Sequence, residues 1–171
     1  MSGGHGDASG DRAGILARAR LFVFDVDGVL TDGRVVYAEG LELQAFDVKD
    51  GLGLTQLLRE GLQVAWISGR GCEATRRRAA ELGVRELHLG AGAKGDVLAG
   101  LQARLGVEPA ATVSMGDDLP DLALAERSAL FAAPADAHPA VRARAGWIAA
   151  ACGGRGAVRE LTDAVLHARG R

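Results

Sequence analysis

The stretch Leu21–Leu30, LFVFDVDGVL, decides the fold. Four apolar residues run straight into two carboxylates, Asp25 and Asp27, with Gly28 behind them. A short, continuous apolar run reads as a strand buried on both faces, the kind that parallel sheets use. The carboxylates then stand where that strand ends. Thr112–Met115 is a second such run, followed by GDDLPD with Asp117, Asp118 and Asp121. Two strand ends of one parallel sheet can bring these acids together across a long sequence separation. Carboxylates gathered that way repel one another unless a cation sits among them, and an all-oxygen donor set suits a hard ion such as Mg²⁺. This chemistry points to a phosphate.

Outward from those stretches, strand-like and helix-like segments alternate. Val35–Tyr37 and Leu41–Val48, separated by Glu39-Gly40, read as a β-hairpin. Asp50-Gly51 opens a helix that Gly61 ends. Leu62–Ile67 is a second buried strand, Glu73–Leu82 a basic-faced helix, and Glu86–Leu89 a short strand. Lys94–Leu105, Leu119–Glu126, Ala137–Ala143 and Gly156–His167 read as helices; Ala111–Met115, Ala129–Ala132 and Trp147–Ala149 read as strands. The rhythm predicts an α/β fold: a Rossmann-like parallel sheet with helices on both faces and a β-hairpin inserted after the first strand. Such sheets bind ligands at the carboxyl ends of their strands.

Composition narrows the function classes. A chain of 171 residues is most simply one domain. Residues 1–14, rich in Gly, Ser and Asp, read as a disordered tail, and residues 15–171 as the single domain. The net charge of −2 offers no broad basic field for nucleic acid. No apolar stretch is long enough to span a bilayer, and the amino terminus has no apolar core of the signal-peptide kind. Cys72 and Cys152 have neither zinc-site spacing nor the density of a disulfide scaffold, so they read as free thiols of a cytoplasmic protein.

Each candidate site residue has a chemical reason. Asp25, rigid at a strand end, can attack phosphorus. Asp27 can serve as general acid and then as base for water, and Gly28 permits a tight turn and close backbone approach. Ser68-Gly69-Arg70 ends the second strand: a hydroxyl and free N–H groups hold phosphate oxygens, and Arg70 can hold a substrate anion. Alternatively, Ser68 is a helix N-cap and Gly69 a turn residue. Lys94 begins a helix, where its charge opposes the helix dipole; this unfavourable placement points to an acidic or phosphate partner, with an ordinary solvated lysine as the equal alternative. Asp117 would complete a metal shell, with Asp118 and Asp121 orienting waters, capping the following helix or pairing with Lys94. His88 and His138 read as structural.

The ordered set of DVDGV, Ser68, Lys94 and GDDLPD resembles the haloacid dehalogenase superfamily of phosphotransferases. The resemblance implies an aspartyl-phosphate on Asp25, acid/base duty for Asp27 with its backbone carbonyl on Mg²⁺, and Asp117 as a further ligand. A narrower resemblance runs from Leu21 to His167 through DVDGVLTDGRVVY, AFDVKDGLGL, ISGR, GDDLPD, ADAHP and GGRGAVRE. It is to the 3-deoxy-D-manno-octulosonate 8-phosphate phosphatase family, phosphomonoesterases of lipopolysaccharide precursor synthesis. It implies a phosphorylated keto-sugar acid substrate, contacts from Lys49, Asp50 and Arg155, and a homotetramer in which a neighbouring subunit completes a site that lacks a cap domain. The hairpins would then pack together, burying Val35, Tyr37 and Leu43. The segment Gly153–Glu160 reads equally as a carboxylate-binding loop or as a flexible loop capping the last helix.

Two positions depart from the pattern: Lys49 stands where arginine is expected and Gln44 where lysine is frequent, and arginine and lysine differ in bidentate reach. Two other readings remain. The first is a phosphatase acting on a nine-carbon keto-sugar acid 9-phosphate. The second is a receiver-like phospho-accepting signalling module. A receiver takes its phosphate at a later strand, whereas Asp25 follows the first, and the hairpin has no receiver counterpart.

Overall fold

The computed structural model describes residues 7–171, with side chains from Asp11 onward. Helix α1, Asp7–Arg18, leads into β1, Leu21–Phe24, and then into the hairpin strands β2, Val36–Ala38, and β3, Leu41–Leu43. Next come α2, Val48–Arg59; β4, Gln63–Ser68; α3, Glu73–Leu82; β5, Glu86–Leu89; and α4, Lys94–Leu105. The chain continues through β6, Thr112–Met115; α5, Leu122–Ala125; β7, Leu130–Ala133; α6, Pro139–Arg144; β8, Trp147–Ile148; and α7, Ala157–Ala168.

Six strands form one parallel sheet in the order β5-β4-β1-β6-β7-β8, and the hairpin pairs only with itself. The chain fills one side of β1 first and then crosses to the other. That reversal of strand order opens a crevice at the carboxyl end of β1.

The period of two along β1 sorts the core. Phe22 and Phe24 pack with Leu54 and Leu57 of α2 and Val158, Leu161 and Val165 of α7. Leu21 and Val23 face the other way, onto Leu98 and Leu101 of α4, Leu124 of α5 and Val141 of α6. All four β1 side chains are fully buried, which is why the run has no polar residue until Asp25. The carboxylates that follow it inherit a rigid base.

Some boundaries differ from the sequence reading. Residues 7–14, expected in the tail, belong to α1, whose Leu16 packs against the main core with Ile15 beside it; residues 1–6 lie outside the described residues. The second hairpin strand stops at Leu43 instead of running to Val48. Asp47 caps α2 by accepting from Lys49 N at 2.7 Å, so Val48 starts a helix rather than ending a strand. Phe46 stacks on Trp66 of β4, ring centroids 6.3 Å apart, and pins the hairpin's return to the sheet. After β6 the GDDLPD segment forms a 3-10 turn, Leu119–Asp121, before α5 begins.

Candidate active site

The carboxyl ends of β1, β4 and β6, with the loop after β5, frame a cleft of about 370 Å³. Asp25, Asp27, Ser68, Gly69, Arg70, Lys94, Asp117, Asp118 and Asp121 all line it. Asp25 is fixed by its backbone, whose N–H extends the β1–β6 ladder to Met115 O at 3.0 Å.

Lys94 is the cation among the acids. Its Nζ lies 2.7 Å from Asp25 Oδ1 and 2.6 Å from Asp121 Oδ1, with all three side chains buried. The partner expected from its awkward place at the start of α4 is therefore a pair of carboxylates. Burial alone would pull Lys94 down, but the charges and hydrogen bonds of Asp25 and Asp121 outweigh it and hold the ammonium above the usual lysine range. Asp121 is fully engaged: its other oxygen accepts from Asp117 N at 2.9 Å and Asp118 N at 3.2 Å. It thus shapes the GDDLPD turn and holds Lys94 at once. Asp118, exposed, caps the 3-10 turn through Leu119 N at 2.8 Å.

Asp117 is the acid without a cation. Its Oδ1 is buried and meets no hydrogen-bond partner. Its carboxylate rests against Gly28, where φ is +87° and a Cβ would collide with it. Glycine is therefore needed there both for backbone and for space. Burial, then the charges of Asp25, Asp121 and Asp118, push Asp117 up to about 8. Burial, then the charge of Asp121, push Asp25 up to about 7 against the opposing pull of Lys94. One ligand atom each from Asp25, Asp117 and Asp121 lies within 4.8 Å of the others. An orphaned oxygen, a surplus of buried negative charge and an all-oxygen donor set fit a hard divalent cation such as Mg²⁺. Since Asp121 is already satisfied, Asp25 and Asp117 are the side chains available to such an ion.

Ser68, 2% exposed, accepts from Arg70 N at 3.1 Å, which leaves its O–H free to donate into the cleft. Arg70 reaches across to the hairpin, with Nη2 2.6 Å from Glu42 Oε1 and Nε 3.6 Å from Asp27 Oδ2.

Three expected contacts lie elsewhere. Asp50 is buried, 1% exposed, and its oxygens accept from Gly156 N and Arg159 N at the start of α7. It ties α2 to the last helix. Lys49 is exposed on the first turn of α2. Arg155 is exposed beside a separate hollow of about 220 Å³ shared with Asp32, Phe46 and Asp47. Its glycine neighbours nonetheless touch the site from behind. Gly154 N donates to Val29 O at 2.8 Å, and a Cβ on Gly153 would strike the Gly28 carbonyl. Gly153 and Gly154 are thus packed against the DVDGV turn. Gln44, noted in the sequence only as a departure from the family pattern, also enters the site by hydrogen-bonding Asp27.

No family model matches the chain. The chain is 39% identical over 168 residues to the 3-deoxy-D-manno-octulosonate 8-phosphate phosphatase KdsC of Escherichia coli K12, covering 98% of this chain and 89% of that protein. Among solved structures, the phosphatase of that name from Yersinia pestis superposes with a TM-score of 0.91 at 38% identity, over 94% of this chain and 87% of that one. The Moraxella catarrhalis phosphatase, solved with a magnesium ion, a phosphate ion and a KDO molecule, gives 0.91 at 37% identity, over 94% and 92%.

Proposed function

The chain belongs to the 3-deoxy-D-manno-octulosonate 8-phosphate phosphatase family of the haloacid dehalogenase superfamily, and on that footing we propose that it hydrolyses this eight-carbon keto-sugar acid phosphate through an aspartyl-phosphate on Asp25. The observation that carries the reading is the buried Asp25–Lys94–Asp121 bridge beside the orphaned Asp117 carboxylate. That arrangement fixes the Asp25 carboxylate by one oxygen and leaves the other to attack, with negative charge still to be balanced.

Lys94 occupies one Asp25 oxygen, so the other is the one that forms a bond to phosphorus. As that bond forms, the ester P–O bond breaks, and Asp27 gives its proton to the departing sugar oxygen. Asp27 then takes a proton from water as the water attacks the phosphoryl group, which leaves Asp25 as free carboxylate and releases phosphate. Asp25, Asp117 and the Asp27 backbone carbonyl would hold Mg²⁺, which would supply positive charge to offset that of the phosphoryl group. The Ser68 hydroxyl donates to one of those oxygens, and Asp118 and Asp121 keep the GDDLPD turn in register.

The hairpin supports the assembly side of the reading. Tyr37 is 74% exposed and Leu41 65%, with Val35, Val36 and Leu43 beside them. This apolar patch, on the element next to an open cleft, suits further copies of the chain in a tetramer. Arg155 and Lys49, outside their own cleft, would be available to a neighbour's. Among the described residues no helix is long and apolar enough to cross a membrane. We place the enzyme in the cytoplasm, with its product feeding lipopolysaccharide precursor synthesis.

The test is a panel of sugar phosphates with Mg²⁺, run on the wild type and on Asp25→Asn. We expect the eight-carbon 8-phosphate to lead the panel, nine-carbon 9-phosphates included, and the variant to fold without turnover. A flat panel refutes the substrate, and an active variant refutes the nucleophile. Sedimentation checks the assembly, for which a fully active monomer is the contrary result.

A further inference from the structure

Gln44 lies one residue beyond β3, and its half-buried side-chain amide bridges two groups. Nε2 donates to Asp27 Oδ1 at 3.1 Å, and Oε1 accepts from the Thr75 hydroxyl at 2.5 Å. The polarity of this bridge is set by chemistry. A carboxylate oxygen accepts, so the N–H end of the amide faces Asp27; its carbonyl end then faces Thr75, whose hydroxyl must donate. Thr75, on α3, is 2% exposed and hence a rigid anchor. The other Asp27 oxygen, Oδ2, has Arg70 Nε at 3.6 Å, longer than a hydrogen bond.

We infer that Gln44, oriented by Thr75, is a positioning residue for proton transfer by Asp27. The inference rests on the acid/base role given to Asp27 above. The terminal torsion of an aspartate is broad and roughly two-fold, so an untethered carboxyl presents either oxygen over a range of angles. With Oδ1 held by Gln44, Oδ2 is the oxygen turned toward the leaving group. The hairpin therefore contributes to the chemistry of its own subunit in addition to offering an outer surface.

Proton delivery matters in proportion to the basicity of the leaving oxygen. As the Asp25–phosphorus bond forms and the ester P–O bond breaks, the electron pair stays on the leaving oxygen. A sugar alkoxide needs the Asp27 proton at that moment, whereas p-nitrophenolate departs without it. The ratio kcat/KM covers the steps through departure of the alcohol, so it isolates this half of the reaction from the later hydrolysis. A side chain that serves only folding or phosphate binding lowers both substrates alike.

The test compares Gln44→Met, Thr75→Val and Thr75→Ser on octulosonate 8-phosphate and on p-nitrophenyl phosphate with Mg²⁺, with thermal unfolding as a check on folding. A well-placed general acid contributes about 10²–10⁴-fold, so Gln44→Met is expected to lower kcat/KM for the sugar phosphate by about 10- to 100-fold and for the aryl phosphate by less than about threefold. Thr75→Val is expected to show the same bias and Thr75→Ser to restore wild-type values. Equal losses on both substrates, or no loss on the sugar phosphate, overturn the inference. A wild type that prefers some other alkyl phosphate would refute the substrate assignment alone, because the alkyl-to-aryl comparison is then read on that ester and still decides the role of Gln44.

Discussion

Lys94→Met removes the cation that joins Asp25 and Asp121 while keeping most of the side chain's volume. At 2.7 Å from Asp25 and 2.6 Å from Asp121, each pair gains about 6 kcal/mol of Coulomb energy at an effective dielectric of about 20. Desolvating three buried charges offsets several kcal/mol for each ion, so the net loss on breaking the pair is about 3–5 kcal/mol. Asp121 keeps its two backbone donors, and so the loss falls mainly on Asp25. For a domain of this size about 1 kcal/mol moves Tm by about 2–4 °C, which predicts a fall of about 6–20 °C in metal-free buffer at pH 8. The pH dependence follows from the direction of the shifts. Asp25 is already raised by burial and by Asp121, and without Lys94 it rises further. A carboxyl whose folded pKa lies above its unfolded value keeps its proton longer in the folded state. Stability is then lost as pH climbs from the unfolded toward the folded value. The deficit should therefore be small near pH 5 and largest near pH 8, read by calorimetry on both proteins across that range. An unchanged Tm at pH 8, or a deficit equal at both ends, refutes the claim that Lys94 neutralises a buried acidic cluster.

Gly28→Ala places a Cβ against the Asp117 carboxylate on a backbone with φ +87°; we expect about 1–2 kcal/mol from the backbone alone. Displacing Asp117 should lower kcat by about 100-fold, and wild-type kcat would separate Asp117 from the reacting centre. In the metal-free wild type, Asp25 and Asp117 are raised from 3.8 to about 7 and about 8, so Tm should fall as pH climbs from about 4 to about 8 and level off above that. Added Mg²⁺, favouring the ionised carboxylates, should flatten that slope; a slope indifferent to Mg²⁺ argues against an ion between them. Asp50→Ala strands Gly156 N and Arg159 N at the start of α7, a loss of about 1–3 kcal/mol. Because Gly153 and Gly154, just before α7, back the DVDGV turn, activity should fall with it, and denaturant titration beside kinetics checks both.

The parts of the molecule legible in the sequence are those where one local pattern has one physical meaning. A four-residue apolar run reads as a buried strand, which β1 is, and the acids after it lie at its carboxyl end. Lys94, set against a helix dipole, read equally as a paired or a solvated lysine, and the structure gives it two carboxylates. The parts that were not legible depend on partners far along the chain. Asp50 looked like a ligand beside Lys49-Asp50-Gly51, but it accepts from residues 106 and 109 positions later, a pairing no periodicity encodes. Gln44 stood out only as a departure from the family pattern; its contact with Asp27 is created by the seating of the hairpin, itself fixed by Phe46 on Trp66. The alternation that extended β3 to Val48 was real, but the Asp47 cap claimed its last residues for α2. In α1, the small and polar composition concealed a packing face of Ile15 and Leu16, continued by Ala19 just beyond the helix.

The central claim is that a carboxylate at the end of β1 takes the phosphoryl group before water does. The stereochemical course at phosphorus, followed with a substrate chiral at that atom, tests it most directly. Two successive in-line displacements, first by Asp25 and then by water, predict net retention of configuration. Net inversion, the mark of a single direct attack by water, would contradict the account.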